Sequence, residues 1–132
     1  MIRLPAYVLA VSLLAGPALA ELRAAPDYFV GAIISTDVAQ AIAVNCPKLS
    51  VNPLIAQEMS ENVLAWLVED GFDRSDPVSE MVDFSDRLQA LQQRFMDKHD
   101  LEGANSAQVC AAGFKEMKSK TDIGNLLVEV AK

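Results

Sequence analysis

The sequence predicts an all-α fold: a small, irregular bundle of four to six helices with orthogonal packing and one disulfide, after a cleaved signal peptide. Three observations predict it. Apolar residues recur at spacings of three and four over most of the chain, and no stretch alternates polar and apolar residues as a strand does. The chain also contains two cysteines, Cys46 and Cys110. We expect residues 109–127, which carry Cys110, to be the centre against which the other helices pack.

The start of the chain has the pattern of a secretory signal peptide. Arg3 supplies a basic start, residues 7–14 form an apolar run, and residues 18–20 form the small-x-small cleavage pattern. The apolar run is shorter than a membrane-spanning helix needs, and an uncleaved anchor is the alternative. We therefore predict a signal peptide over residues 1–20 and one helical domain over residues 21–132, periplasmic or secreted, without stable membrane insertion after cleavage.

The charge of the chain argues against two classes of partner. It has 18 acidic and 11 basic residues, a formal net charge of −7, and loss of Arg3 on cleavage makes it one unit more negative. Nucleic acid and anionic lipid are disfavoured, because both are bound through clustered Lys and Arg. The high content of Leu, Val, Ile and Ala excludes a disordered chain.

Two cysteines in an exported chain usually form a disulfide, and two permit a single intramolecular connectivity. A bridge between Cys46 and Cys110 would close a loop of 64 residues. A redox pair is the alternative. It is disfavoured because the sequence has no Cys-x-x-Cys motif and no basic residue directly beside either cysteine to favour a reactive thiolate.

The first helix is predicted from Asp27, as its N-cap, to about Cys46, where Pro47 stops it. Its apolar positions, each four residues apart, are Val30, Ile34, Val38 and Ile42. This spacing turns one apolar face of the helix, with Cys46 at its end, toward the core.

Asn52 and Pro53 open the second helix, since asparagine is a good N-cap and proline suits the first helical position. Gly71 ends this helix in a left-handed cap, with Phe72 folding back on the last turn. The apolar stripe of the helix contains the single tryptophan, Trp66. We predict that Trp66 is a core anchor, and a ligand-stacking role is the alternative.

A third helix is predicted from Asp76, as its N-cap, through Pro77 to about His99. Its inner face carries apolar residues at helical spacing: Met81, Phe84, Leu88, Leu91 and Phe95. A break near Ser85 and Asp86 is left open, because both side chains compete with the helix backbone for hydrogen bonds.

The fourth helix begins after a capping box of Asn105 and Gln108 and runs to about Ser119. Thr121 then caps a last short helix with the apolar residues Ile123, Leu126, Leu127 and Val130. Gly113 lies in the middle of the fourth helix, where glycine costs about 1 kcal/mol relative to alanine. We interpret Gly113 as a point where another helix approaches closely, beside the disulfide.

Several short motifs resemble a family of small exported bacterial proteins, domain of unknown function family 5333. They are the signal peptide, Asn45-Cys46-Pro47, Gly71-Phe72, Cys110-Ala111-Ala112-Gly113, Glu116, and Ile123-Gly124 before Leu126-Leu127. The resemblance covers most of the chain after residue 20. It implies an all-helical fold with one bridge, and it implies no activity and no catalytic residues. The charged residues 97–101 depart from the family pattern.

Two single residues are candidates for chemistry. Glu116 lies six residues after Cys110 on the fourth helix and is expected to face away from it. If Glu116 is buried, it is a functional candidate, because buried acids cluster at functional sites. His99, the only histidine, is predicted to be solvated among charged neighbours, and one histidine makes no histidine-based metal site.

The acidic residues around the start of the third helix are the remaining cluster. Asp76, Glu80 and Asp83 follow helical spacing, and Ca²⁺ binding is the alternative to a solvated acidic face. The spacing is not that of an EF-hand loop, so we predict the solvated face. No metal and no cofactor is predicted for this chain.

These patterns do not identify a molecular function, and they favour a protein that is not an enzyme. The leading hypothesis is a non-catalytic periplasmic binding or structural protein with an unidentified protein or small-molecule partner, for which the candidate residues are Glu116, Trp66 and Gly113. The second hypothesis is an acid-stress chaperone, because 18 carboxylates lose their charge together as the pH falls. The third is a small carboxylate-dependent hydrolase, although small helical domains rarely offer the cleft that an acid–base pair needs.

Overall fold

The computed structural model describes residues 21–131. Within them, five α-helices, one 3₁₀ helix and a two-stranded sheet follow in the order α1 (Asp27–Asn45), β1 (Leu49–Val51), α2 (Pro53–Glu69), the 3₁₀ helix (Pro77–Glu80), α3 (Phe84–His99), α4 (Ser106–Ser119), α5 (Asp122–Leu126) and β2 (Leu127–Glu129). The predicted helical fold with one disulfide is confirmed. The predicted signal peptide, residues 1–20, lies outside the described residues.

Helix α1 is the centre of the fold. It contacts α2, α3, α4, α5 and β1, whereas α4 contacts mainly α5 and α1. Its buried residues lie on more than one side of the helix: Phe29, Val30, Ile34, Ser35, Val38, Ala39 and Ile42. The prediction that residues 109–127 form the centre is therefore wrong. Among residues 21–131, α1 is the one helix long and apolar enough to cross a membrane, a composition that a core helix shares.

The core has two parts. One surrounds the disulfide and contains buried residues from α1, β1, α3, α4, α5 and β2. The other lies around the first half of α1, where Phe29 and Val30 pack with Val63, Leu67 and Phe72. Partly buried side chains of α2 and α3 pack against both parts, so the two are continuous.

The start of α1 differs from its prediction. Pro26 occupies the N-cap position, and Asp27 is the first helical residue and makes no capping hydrogen bond. The Asp27 carboxylate instead pairs with Arg87 of α3. A tertiary ion pair has taken the side chain that a local cap would use, while the end of α1 at Asn45 is as predicted.

The two ends of α2 are as predicted. Asn52 accepts hydrogen bonds from two backbone N–H groups of the first turn, and Pro53 is the first helical residue. At the other end Gly71 has a φ of 82°, and the Phe72 N–H donates to the Leu67 carbonyl at 2.9 Å. This is the long hydrogen bond of a Schellman cap, which needs a residue that tolerates the left-handed conformation.

The predicted start of the third helix is wrong. Asp76 caps only the short 3₁₀ helix, and α3 begins later, at Phe84. Between them Met81 is extended and pairs with Arg23, whose carbonyl accepts the Val82 N–H. The break therefore falls before the Ser85–Asp86 position considered from the sequence, because pairing with the N-terminal segment holds Met81 out of a helix.

The last predicted helix is shorter than expected, and two strands are present. Helix α5 ends at Leu126, and β2 pairs antiparallel with β1, with Ser50 opposite Val128. The Val130 N–H continues the pairing by donating to the Lys48 carbonyl at 2.9 Å. Strands of three residues are too short for apolar alternation to reveal them, so the sequence pattern predicted a helix here.

Gly113 is a point of close approach, as predicted. A β-carbon at Gly113 would lie 2.5 Å from Leu49 Cδ1 and 2.9 Å from Ile42 Cγ2. Both neighbours are buried, and they belong to β1 and to α1 near the disulfide. Glycine is therefore required here by packing, although it lowers the intrinsic stability of α4.

We expect Gly113→Ala to lower the free energy of unfolding by about 1–3 kcal/mol, because overpacking outweighs the gain in helix propensity. Urea unfolding of the protein from residue 21 measures it. The matched control is Gly31→Ala in α1, where an added β-carbon meets nothing within 4 Å. That control should gain about 0.5–1 kcal/mol. A Gly113→Ala variant as stable as the wild type would contradict the packing explanation.

Candidate functional site

The predicted disulfide is present. Cys46, the residue after α1, is bonded to Cys110 in the first half of α4, with 5.1 Å between their α-carbons. Both cysteines are buried, and among residues 21–131 no free cysteine is found. The bridge holds the end of α1 against α4 in the core part where Gly113 also packs.

Glu116 is buried, with 1% of its surface exposed, between the end of α3 and the start of α5. Its Oε1 accepts a hydrogen bond from Lys98 Nζ at 2.7 Å and lies 2.7 Å from His99 Nε2. Its Oε2 accepts a hydrogen bond from the Thr121 hydroxyl. These four residues, called the Glu116 cluster below, join three helices through one carboxylate.

The prediction that His99 is solvated is wrong. Its side chain is 3% exposed, and its ring packs against Phe95 with 4.8 Å between the ring centres. His99 is the last residue of α3, so its side chain points into the contact with α4 and not into the loop that follows. Since an ionised carboxylate can only accept, His99 Nε2–H donates to Glu116.

The surroundings of Glu116 lower the pKa of its carboxyl group. Burial alone would raise the pKa, but hydrogen bonds from Lys98, Thr121 and His99, together with the Lys98 charge, lower the pKa from 4.5 to about 2. Among residues 21–131 no buried side-chain polar atom lacks a hydrogen-bond partner. The carboxylate is thus fully used by internal contacts.

Glu116 also supports the start of α5. The Thr121 hydroxyl accepts the Gly124 N–H at 3.1 Å as the N-cap of α5, and it donates its own hydrogen to Glu116. The main chain of α5 comes so close that a β-carbon at Gly124 would overlap the Glu116 carbonyl and lie 2.6 Å from the Met117 nitrogen. The cluster therefore has a clear structural role.

We expect Glu116 to make stability pH-dependent. Because its pKa is lower in the folded chain, ionised Glu116 stabilises the fold in full above about pH 4.5, and this stabilisation is lost as the pH falls toward about 2. Ionised Glu116 therefore contributes about 3 kcal/mol to the free energy of unfolding at neutral pH. At about pH 3 the folded carboxylate is still mostly ionised, so urea unfolding at pH 7 and about pH 3 should show a loss about 2 kcal/mol larger in the wild type than in Glu116→Gln. Equal losses in the two proteins would contradict the assignment.

The acidic residues near the start of α3 make hydrogen bonds or ion pairs within the fold. Asp76 caps the 3₁₀ helix, Glu80 lies 3.9 Å from Arg23, and Asp83 accepts the Ala25 N–H. Each therefore has its own partner. In the described part of the chain, no group of three or more His, Cys, Asp or Glu side chains is placed to hold a metal ion.

Trp66 is not the predicted core anchor. It is 48% exposed, because Val63 and Leu67 occupy the buried positions of α2 beside it. Its ring meets the Tyr28 ring edge to face, with 5.5 Å between the centres. The Tyr28 hydroxyl donates to Asp70 at 2.6 Å, and burial together with this hydrogen bond raises the pKa of Tyr28 to about 12. Tyr28 is thus a fixed support for an exposed indole.

Trp66 stands at one end of an open groove of about 620 Å³, called the α1–α2 groove below. One stripe of α2 forms a wall with Ile55, Glu58, Met59, Asn62, Val63 and Trp66. The start of α1 and the turn of α5 complete it with Asp27, Tyr28, Gly31, Ala32, Asp122 and Asn125. From Ile55 to Trp66 the wall is about 16 Å long, since an α-helix rises about 1.5 Å per residue.

Only one residue of this groove, Trp66, is a candidate from the sequence. The apolar stripe of α2 predicted core throughout, and no sequence motif singled out Tyr28, Gly31 or Glu58. The available signal was the pair of adjacent small residues, Gly31 and Ala32, in the first half of α1. Small side chains on one helix leave a depression beside a neighbouring helix, but a sequence does not say which helix that is.

Comparisons with known proteins give one result. The model of a family of unknown function, DUF5333, matches residues 21–128. No curated protein and no solved structure shows significant similarity to the chain.

Proposed function

The chain belongs to the DUF5333 family, a family of unknown function, and we propose that it is a non-catalytic binding protein that holds a partner in the α1–α2 groove. The observation that carries the proposal is the half-exposed Trp66, supported by Tyr28 at the end of that groove. Tryptophan and tyrosine are enriched where proteins meet partners, because rigid rings supply contact area at a small cost in entropy.

The state of the polar side chains supports binding over catalysis. The Glu116 carboxylate is enclosed and already accepts three hydrogen bonds, so it has little capacity left for a substrate. Its histidine neighbour, His99, is buried with it. Buried acids and histidines are the usual catalytic candidates, and here both are occupied by structural contacts.

Export to the periplasm is part of the proposal. The disulfide and the apolar N-terminal part of the chain fit an exported protein, since structural disulfides persist in oxidising compartments. The formal net charge of −7 disfavours nucleic acid as the partner. The proposed partner is therefore a protein or small molecule outside the cytoplasm.

Blocking the groove tests the proposal. Gly31 lines the groove, and a β-carbon added there meets no atom within 4 Å, so we expect the rest of a leucine side chain in Gly31→Leu to occupy the groove while α1 stays folded. Displayed random peptides are selected on the protein from residue 21. We expect saturable binders whose affinity falls about tenfold or more on Gly31→Leu and changes little on Gly31→Ala. Peptides whose binding is unchanged by Gly31→Leu would reject the proposal, and a selection that yields no peptide would exclude a peptide segment as the partner.

An acid-responsive chaperone is the second candidate, and the Glu116 cluster is the observation that favours it. The carboxylate that joins α3, α4 and α5 loses its stabilising effect below about pH 4.5, which would loosen those helices in acid. A chaperone of this kind should suppress the aggregation of a client at about pH 3 and not at pH 7. Absence of suppression in acid, with the protein still compact, would reject this candidate.

A further inference from the structure

We infer that the occupant of the α1–α2 groove is an extended basic peptide segment of a partner protein, with an arginine or lysine side chain against Trp66. The inference rests on the proposed function, because it names the chemistry of the partner at the same site. Charge, aromatic geometry and the shape of the groove each support it.

The charge of the groove is negative. Three of its lining residues are acidic, Asp27, Glu58 and Asp122, and within residues 21–131 no Lys or Arg lines it. Asp27 is already paired with Arg87, so its charge is largely compensated. Glu58 makes no ion pair with any described residue. It lies eight residues before Trp66, about 12 Å along α2, where a second amino or guanidinium group of the peptide would neutralise it.

The aromatic end of the groove suits a cation. Trp66 is half exposed, and tryptophan is the aromatic side chain that attracts cations most strongly. Tyr28, held by Asp70, keeps the indole in place, so little entropy is lost when a ligand stacks on it. The same chain already uses this contact: the Arg23 guanidinium lies 3.6 Å from the centre of the Phe72 ring.

The shape of the groove suits an extended chain. Its length of about 16 Å matches about five residues at about 3.3 Å each. Gly31 and Ala32 line the groove with almost no side chain, which leaves room for a peptide backbone. The amides of Asn62 and Asn125 also line the groove, and the Asn62 amide can donate to or accept from that backbone. Ile55 and Met59 offer apolar contact between the charged positions.

Three pools of capped pentapeptides test the inference. Every position of each pool is randomised over five residue types. Four of them, alanine, valine, leucine and serine, are common to all pools. The fifth is arginine in one pool, its neutral analogue citrulline in the second and glutamate in the third. Binding is followed by the fluorescence of Trp66, the only tryptophan, and by calorimetry. The arginine pool should bind, about tenfold more tightly than the citrulline pool, and the glutamate pool should bind most weakly. Higher salt should weaken the arginine pool alone.

A charge reversal with a matched control locates the recognition. Glu58→Lys should weaken the arginine pool about tenfold and strengthen the glutamate pool. Glu61→Lys makes the same change of charge on the same helix outside the groove, and it should alter binding little. Equal effects of the two variants would overturn recognition in the groove.

Two further results would overturn the inference and leave the proposed function standing. One is that arginine peptides and citrulline peptides bind with equal affinity, while Gly31→Leu blocks the binding of both. The other is that arginine amide alone binds as tightly as the arginine pool, which would make the occupant a small cation. Failure of every peptide to respond to Gly31→Leu would instead remove the proposed function itself.

Discussion

Replacing Cys46 and Cys110 together with alanine should lower the free energy of unfolding by about 4 kcal/mol. The bridge closes a loop of 64 residues, and the chain-entropy model assigns about this value to a loop of that length. The closed loop contains β1, α2 and α3 and ends on α1 and α4. Without the bridge, the unfolded chain gains conformational freedom, and the cavity left by the two buried sulfur atoms adds a smaller loss.

Urea unfolding at pH 7 measures this loss as a lower midpoint. Helix content at low temperature should change little if the variant folds. The reduced wild-type protein serves as a second measurement, since it lacks the same bond and keeps both side chains. An unchanged midpoint in both proteins would contradict the proposed contribution of the disulfide, and peptide mapping without reducing agent should find the two cysteines linked in the wild type.

Glu116→Ala should lower the free energy of unfolding by about 3–5 kcal/mol, because it removes hydrogen bonds to an ionised group together with a buried side chain. The substitution leaves Lys98, His99 and Thr121 without their shared acceptor. His99 is buried, so water does not readily replace the lost hydrogen bond. A cavity in the volume of the former side chain adds to the loss.

The matched control is Glu102→Ala, which removes an exposed acid from the connection between α3 and α4 and should change stability by less than about 0.5 kcal/mol. Hydrogen exchange gives a local measurement. The Gly124 N–H depends on the Thr121 hydroxyl, which Glu116 orients, so its exchange should accelerate in Glu116→Ala more than that of amides in α2. A loss below about 1 kcal/mol with unchanged Gly124 exchange would contradict the structural role of the cluster.

Local chemistry determined the ends of several helices, and these could be predicted from the sequence. The Asn52 cap of α2 and the Gly71 cap at its end involve residues within five positions of each other. The capping box of Asn105 and Gln108 and the Thr121 cap of α5 are equally local. The disulfide was predictable for a different reason: two cysteines allow one pairing.

Tertiary contacts decided the features that the sequence pattern predicted wrongly. Trp66 and Val63 lie on the same apolar stripe of α2, yet Trp66 is half exposed, because Val63 and Leu67 occupy the buried positions beside it. The charged neighbours of His99 in the sequence predicted a solvated loop residue. In the fold, α4 places Glu116, 17 positions further along the chain, beside His99. Met81 is held extended by Arg23, far from it in sequence.

The candidate site, like these features, was decided by tertiary contacts. The sequence by itself determined that the chain is helical, has one bridge and carries an exposed acidic surface, since periodicity, capping and residue type act within a few positions. The tertiary structure decided that α1 is central, that Glu116 is enclosed and that Trp66 stands over a groove. Burial depends on which surfaces of the chain pack together. The spacing of apolar residues shows that one face of a helix is apolar, but it does not show which element packs against that face.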